Sequence, residues 1–454
     1  MREERVILGE NCSYSTNCDE TGLNNNVLVC GGSGSGKTMS IGEPRLLQTK
    51  YTNLIATVAK RRIVEKYILL FKKRKYKVLD LNLADPLKST CAFDPMQYIT
   101  DNSDITFLAK AIVKADPQKE ESTSADPYWD QAAISLLSAE IAYTRTIQKN
   151  ATFADVLELH DMLTIESGYD QISTSLDCLF GELDKNSFAV TCWKSFKCLP
   201  ARTAGCVYGT LNAAIDTMFP SELRQMIAKK PKIDFEQFTR RKTVLFVTTS
   251  AVNPALHSFV NLFYAQAFKK LFEYAEKCHE GMLPIPVHML CDDFACGGRV
   301  LNFPEYISIF REKGISVTLL LQSESQLEQM YGPGNTTTII NNCDTYVFLG
   351  GMDLRTARNI SVRLDAPLDE VLYMPIGQEI IFRRGQRPIL TTRYDVRSDE
   401  QYQEVAGRYK SKEADDMILP DERETSEDER IGDDRTGRGR SGEKTLRSHI
   451  RKSV

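Results

Sequence analysis

Nowhere in the 454 residues is there an apolar run approaching the roughly 18–20 residues that span a bilayer, and Met1-Arg2-Glu3-Glu4-Arg5 lacks the apolar centre of a secretory leader. The expectation is a soluble protein. Twelve cysteines are scattered between Cys12 and Cys343 without a C-x-x-C pair, so the spacing offers no zinc or dithiol redox site. Cys30 and Cys291 fall in apolar runs, as reduced core thiols of a cytoplasmic protein would. Charge of one sign is also missing: a formal net charge of −4 supplies no global field for nucleic acid. Aromatic and basic residues do not interleave in the manner that stacks unpaired bases. Any DNA contact is therefore expected to be phosphate-directed, tolerant of sequence and steeply salt dependent. A hydrophobic content of 42% leaves room for two or three packed domains.

What is present begins at Val27-Leu28-Val29-Cys30, a β-branched run that delivers Gly31-Gly32-Ser33-Gly34-Ser35-Gly36-Lys37-Thr38, with a helical pattern from Met39 onward. This is the Gly-x4-Gly-Lys-Thr spacing of a phosphate-binding loop. Its glycines let successive backbone N–H groups turn toward an anion, Lys37 brings charge to the outer phosphates, and the Thr38 hydroxyl can hold Mg²⁺. A second element, Val287-His288-Met289-Leu290-Cys291-Asp292-Asp293, is an apolar strand ending in two carboxylates. In P-loop ATPases the first acid, here Asp292, orients the metal, and the second polarises the attacking water. That second place commonly holds Glu, and Asp293 reaches one methylene less far. Two acids ending a strand also suit a solvated strand terminus. His288 alternates with apolar neighbours and reads as a packed core residue. A third element runs from Phe310-Arg311-Glu312-Lys313-Gly314 through an apolar strand to Gln322, whose amide could lie beside a γ-phosphate.

Short β-like runs at 27–30, 53–57, 77–81, 243–248, 287–292, 315–321 and 345–349 alternate with helical patterns, which argues for a parallel sheet flanked by helices. The fold class that follows is α/β: a RecA-like P-loop domain with a mostly parallel central sheet. Residues 96–238 have little strand character and read as an inserted all-α domain, with helical segments at 128–146 and 204–218. Their amphipathic patterns suit either a core or a partner surface. The nucleotide-binding domain is thus divided into 1–95 and 239–400. Residues 401–454 read as a charged, disordered tail that is either solvated or recruits charged partners.

Taken together, the motifs resemble the TraG/TraD-type coupling proteins of conjugative type IV secretion, hexameric relatives of the FtsK-type DNA pumps. The likeness rests on the residues running from Asn24 to Thr38, on Ala125-Asp126-Pro127-Tyr128-Trp129 and on Leu290-Cys291-Asp292-Asp293-Phe294-Ala295. It continues through Leu321-Gln322-Ser323-Glu324-Ser325-Gln326-Leu327, Ile340-Asn341-Asn342-Cys343-Asp344, Val347-Phe348-Leu349-Gly350-Gly351 and Arg384-Gly385-Gln386-Arg387-Pro388-Ile389.

The resemblance implies ATP and Mg²⁺ as cofactors, with Gly31 to Thr38 cradling the phosphates and Thr38 and Asp292 on the metal. It implies Lys37, Asp293 and Gln322 as catalytic groups, Gln322 serving as the sensor, and Arg311 as a finger inserted into the next subunit. Residues alone would make Arg311 an exposed cation paired with Glu312 or a neighbouring helix. The implied work is delivery of relaxase-bound single-stranded DNA to a type IV secretion channel by a homo-hexamer at the cytoplasmic face of the bacterial membrane, monomeric in isolation or not. A nucleotide-binding substrate adaptor with little turnover, or another FtsK-like translocating ATPase, would carry many of the same motifs.

Three departures stand out. Family members usually carry transmembrane helices before the phosphate loop, so the anchor here is missing or supplied by a partner. The usual Asp-Pro-Lys-Gly-Glu is replaced by Val58-Ala59-Lys60-Arg61-Arg62, which removes an acid and adds positive charge at the nucleotide edge. Asp293 stands where Glu is usual.

Overall fold

The computed structural model describes residues 4–115, 127–166, 172–249, 254–294, 296 and 298–417. Strands β1 (Arg5–Gly9) and β2 (Cys12–Ser15) form an N-terminal hairpin. Seven parallel strands follow: β3 (Val27–Cys30), β4 (Asn53–Val58), β5 (Lys77–Asn82) and, beyond a minimal two-stranded ladder of β6 (Ile165–Glu166) and β7 (Ser173–Thr174), β8 (Thr243–Thr248), β9 (Val287–Cys291), β10 (Ile315–Leu321) and β11 (Thr345–Phe348). The antiparallel β12 (Gln378–Arg383) and β13 (Ile389–Thr392) extend the sheet beyond β11, giving nine strands in the order β13-β12-β11-β3-β10-β9-β4-β8-β5.

Every residue of β3, β4, β8, β9 and β11 is buried, as expected of strands covered on both faces. Alternate residues supply separate cores: Val27 and Val29 of β3 join Tyr67, Phe71 and Phe246, whereas Leu28 and Cys30 join the cluster that continues into the helical insertion. Rings carry that continuity. Phe153 lies 4.7 Å from Phe219, Phe219 is 5.7 Å from Phe259, and Phe259 is 5.5 Å from Phe93. The insertion leaves after β5 and returns at β8, which pair with each other, so both of its ends lie at one edge of the sheet.

The inserted segment is helical, as expected, with Pro127–Ile147 and Ala201–Met218 as its longest helices; the exception is the β6–β7 ladder. Residues 125 and 126 of its opening motif lie outside the described residues. The reading of 401 onward as disordered needs correction at its start. The helix Glu400–Met417 packs on the helix Arg61–Lys73, where Val405 is buried, Glu404 Oε1 sits 3.1 Å from Lys73 Nζ, and Gln401 Oε1 accepts from Arg74 at 3.0 Å. One apolar side chain per turn, absent from a charge count, is enough to seat it. Residues 418–454 lie outside the described residues. Among the described residues, no helix is long and apolar enough to cross a membrane.

Candidate phosphate and metal site

The loop at the C-terminal end of β3 has the backbone its glycines allow. Gly34 and Gly36 have φ of 73° and 85°, a region costly to residues with a Cβ. A Cβ on Gly31 would stand 2.5 Å from Ser35 Oγ, so this close turn also excludes a side chain. Lys37 folds back across the loop, its Nζ donating to Gly31 O at 2.7 Å and Gly32 O at 3.2 Å. The following helix does not begin as an ordinary α-helix. Thr38–Gly42 forms a π-turn in which the Glu43 N–H reaches Thr38 O, and Glu43–Gln48 then continues as α-helix. Pro44 explains the widening, because it has no N–H for the Ser40 carbonyl and its ring would press on that group in a regular helix.

Asp292 follows β9 directly, and β10 lies between it and β3. Despite the intervening strand, Thr38 Oγ1 stands 3.3 Å from Asp292 Oδ2. Burial, then the charge of Asp293, pushes the Asp292 carboxyl up to about 6, while the Thr38 hydrogen bond and Lys37 oppose that rise. A divalent cation between Thr38 and Asp292 would supply the missing positive charge, and the hard oxygen pair suits Mg²⁺. Ser35 Oγ is buried with no hydrogen-bond partner, a polar atom directed into the loop that a phosphate oxygen could satisfy. The donor set and the glycine cradle therefore fit a Mg²⁺-bound polyphosphate.

Asp293 adopts φ of 50°, in the left-handed region. Asp tolerates that region better than Glu does, which gives a backbone reason for the shorter acid. Gln322 is exposed immediately after β10, between the phosphate and acid strands, and Gly31 N donates to the adjacent Leu321 O at 3.1 Å. His288 is a core residue: its ring nitrogens meet Ser316 Oγ at 2.8 Å and Thr318 Oγ1 at 2.9 Å, and burial holds its pKa well below the ordinary value. Burial likewise pushes the Cys30 and Cys291 thiols up to about 12, so they are inert packing groups. Among the described residues there is no metal-binding group of three or more His, Cys, Asp or Glu.

Arg311 is not brought to this site. It ends the helix Phe303–Lys313, just before β10 begins, and so lies at the opposite edge of the sheet. There it is exposed and donates to Gly22 O at 3.1 Å and Cys18 O at 3.4 Å, the carbonyls of the C-cap and of the first residue of the one-turn helix Cys18–Thr21. Arg384 shares the Gly22 carbonyl at 3.2 Å and pairs with Asp344 at 2.9 Å. The structure thus gathers two arginines at this edge; the sequence had offered Arg384 only as part of a motif.

Two further contacts escaped the sequence. Arg393, just after β13, donates to Ser35 O at 2.6 Å and Gln378 O at 3.1 Å and also to Leu349 O, tying the phosphate loop to the ends of β11 and β12. No local motif marks it. Arg61, read as added positive charge at the nucleotide edge, is held by Asp80 through bonds of 2.7 and 2.6 Å. The exposed additions there are Lys60 and Arg62.

A Gly-Lys-Thr loop on one parallel strand, facing an acid-ended strand two places away, defines a RecA-like P-loop α/β protein. A family model described as type IV secretory system conjugative DNA transfer matches residues 3–365, and the chain belongs to that family. Among solved structures it is similar to the bacterial conjugative coupling protein TrwBdeltaN70 in a trigonal form with sulphate, at 15% identity and a TM-score of 0.62, covering 87% of this chain and 94% of that one. TrwB in complex with the ATP analogue ADPNP gives 15% identity and a TM-score of 0.63 over the same shares. VirB4 of Thermoanaerobacter pseudethanolicus gives 10% identity and a TM-score of 0.53, covering 89% of this chain and 98% of that one. Curated protein sequences offer no match.

Proposed function

We propose that this coupling-family chain binds ATP with Mg²⁺ and hydrolyses it between copies of itself to drive relaxase-bound single-stranded DNA toward a type IV secretion channel. The 3.3 Å approach of Thr38 to Asp292 across an intervening strand carries the nucleotide part of this reading. In it, backbone N–H groups from Gly31 to Thr38 and Lys37 bind the phosphates, Thr38 and Asp292 hold the metal, Asp293 positions the attacking water and Gln322 senses the terminal phosphate. Mg²⁺ supplies charge neutralisation when bound. Arg311 serves the neighbouring copy, because its own phosphate loop lies at the other edge of the sheet. TrwB, similar in fold, has been crystallised with ADP and Mg²⁺, which supports the choice of cofactors. In this reading the motor works as a homo-hexamer at the cytoplasmic face of the membrane, reached through an anchor or a partner.

One observation favours a slower adaptor instead: Asp293 combines the shorter acid with a left-handed backbone. Phosphate release from Mg²⁺-ATP in the presence of single-stranded DNA separates the two. Specific activity that rises with protein concentration is expected of a site completed in trans. Tight ATP binding with a flat, negligible rate would reject the motor.

A further inference from the structure

The metal pair gives the phosphate site a direction. Thr38 and Asp292 lie on the β9 side of the loop and Gln322 follows β10, so the terminal phosphates belong on that side. The other half of an extended nucleotide must then leave over the opposite side, past the end of β11. The ground there is firmly built. Gly32 N donates to Gly350 O at 2.9 Å, Arg393 N donates to Gly377 O at 2.8 Å, and a Cβ on Gly350 would meet Met374 Cε at 3.4 Å. Together with the guanidinium of Arg393 on Ser35 O, these contacts fix residues 350–352 and 373–377 against the phosphate loop.

On this base stand three large apolar side chains facing water: Met352 is 87% exposed, Tyr373 82% and Ile376 100%. Single exposed apolar residues are ordinary, but three on adjoining segments beside a ligand loop are a surface waiting to be covered. We propose that Tyr373, Ile376 and Met352 form the shelf on which the base and ribose of the nucleotide rest. The proposal builds on the nucleotide-binding reading above and names the part of the ligand that reading leaves without partners. Nearby polar groups are already engaged. The Asp353 carboxylate accepts from Ser325 and Thr356, and Arg393 is held by carbonyls. The shelf therefore offers stacking and apolar contact rather than a pattern that reads the base edge, and ATP and GTP are expected to bind within about threefold of each other.

The test compares the full chain with the double variant Tyr373→Ala/Ile376→Ser, both positions being exposed enough to leave folding untouched, by calorimetry with Mg²⁺-ATP and with Mg²⁺-tripolyphosphate. The expected result is ATP affinity weaker in the variant by about fivefold or more and tripolyphosphate affinity unchanged, about fivefold being the low end for removing one base–aromatic contact. Unchanged ATP affinity accompanied by lost self-association would assign the surface to a neighbouring copy and overturn the shelf. Equal losses for both ligands would overturn it as well. A wild-type chain that binds neither ligand would instead remove the nucleotide reading, and the shelf with it.

Discussion

The two edges of the central sheet are built for opposite purposes. At the C-terminal edge the polar groups face inward and hold one another: Lys37 on loop carbonyls, Thr38 against Asp292, Arg393 under Ser35. At the N-terminal edge Arg311 and Arg384 lie on the surface, resting on a shared carbonyl. A cation aimed at a chain's own phosphates would have no reason to stand a strand's length away. In the function proposed above, this division makes one copy the carrier of two half-sites, a holder and a donor, which meet across an interface.

The sharpest way to break this comparison is Arg311→Ala. It is expected to cut turnover by about 10³-fold or more while nucleotide affinity stays within about twofold, measured by steady-state phosphate release and calorimetry. Mixing it with the Lys37→Ala protein should recover part of the rate, since each variant supplies the half the other lacks; no recovery would place both halves in one copy. Lys37→Ala alone should weaken ATP binding by about 10- to 100-fold, the worth of one charge-assisted contact. Asp292→Asn should abolish the Mg²⁺ dependence of ATP affinity in a titration, with a smaller loss in its absence. Asp293→Glu restores carboxylate reach at a left-handed residue. Turnover should be preserved or raised, while Tm falls by about one degree for about 1 kcal/mol of backbone strain in a chain of this length.

The smallest effect concerns Glu379 on β12, fully buried with both carboxylate oxygens unpartnered. Burial pushes its pKa up to about 8, against the pull of Arg393. The unfolded carboxyl titrates near about 4.3, so stability is full below that pH and falls as pH rises from there through about 8. Glu379→Gln should flatten this slope and raise Tm at pH 8 by a few degrees relative to wild type, read by thermal scans across pH 5–8.

Much of this was legible along the chain. Five of the seven parallel strands are buried throughout and β10 is nearly so, which gives them largely apolar runs; β5, at the sheet edge, is buried over its second half, and observed ends differ from the sequence reading by no more than a residue. The loop and the acid strand are local motifs and needed no tertiary information. Other features escaped for physical reasons. The β1–β2 hairpin is short and half exposed, and β13 is mostly exposed, so neither has the continuous apolar signal of a buried strand. Arg393 and the Arg61–Asp80 pair matter through contacts between distant segments, which no spacing rule encodes. That Asp293 rather than Glu follows Asp292 looked like a weakened site until its backbone angle supplied a reason.

The ring-to-ring chain from Phe153 through Phe219 and Phe259 to Phe93 packs the helical insertion directly onto the body that carries the sheet. In the proposed motor, a push that starts at the phosphate loop has through these rings a path of solid contact into the insertion.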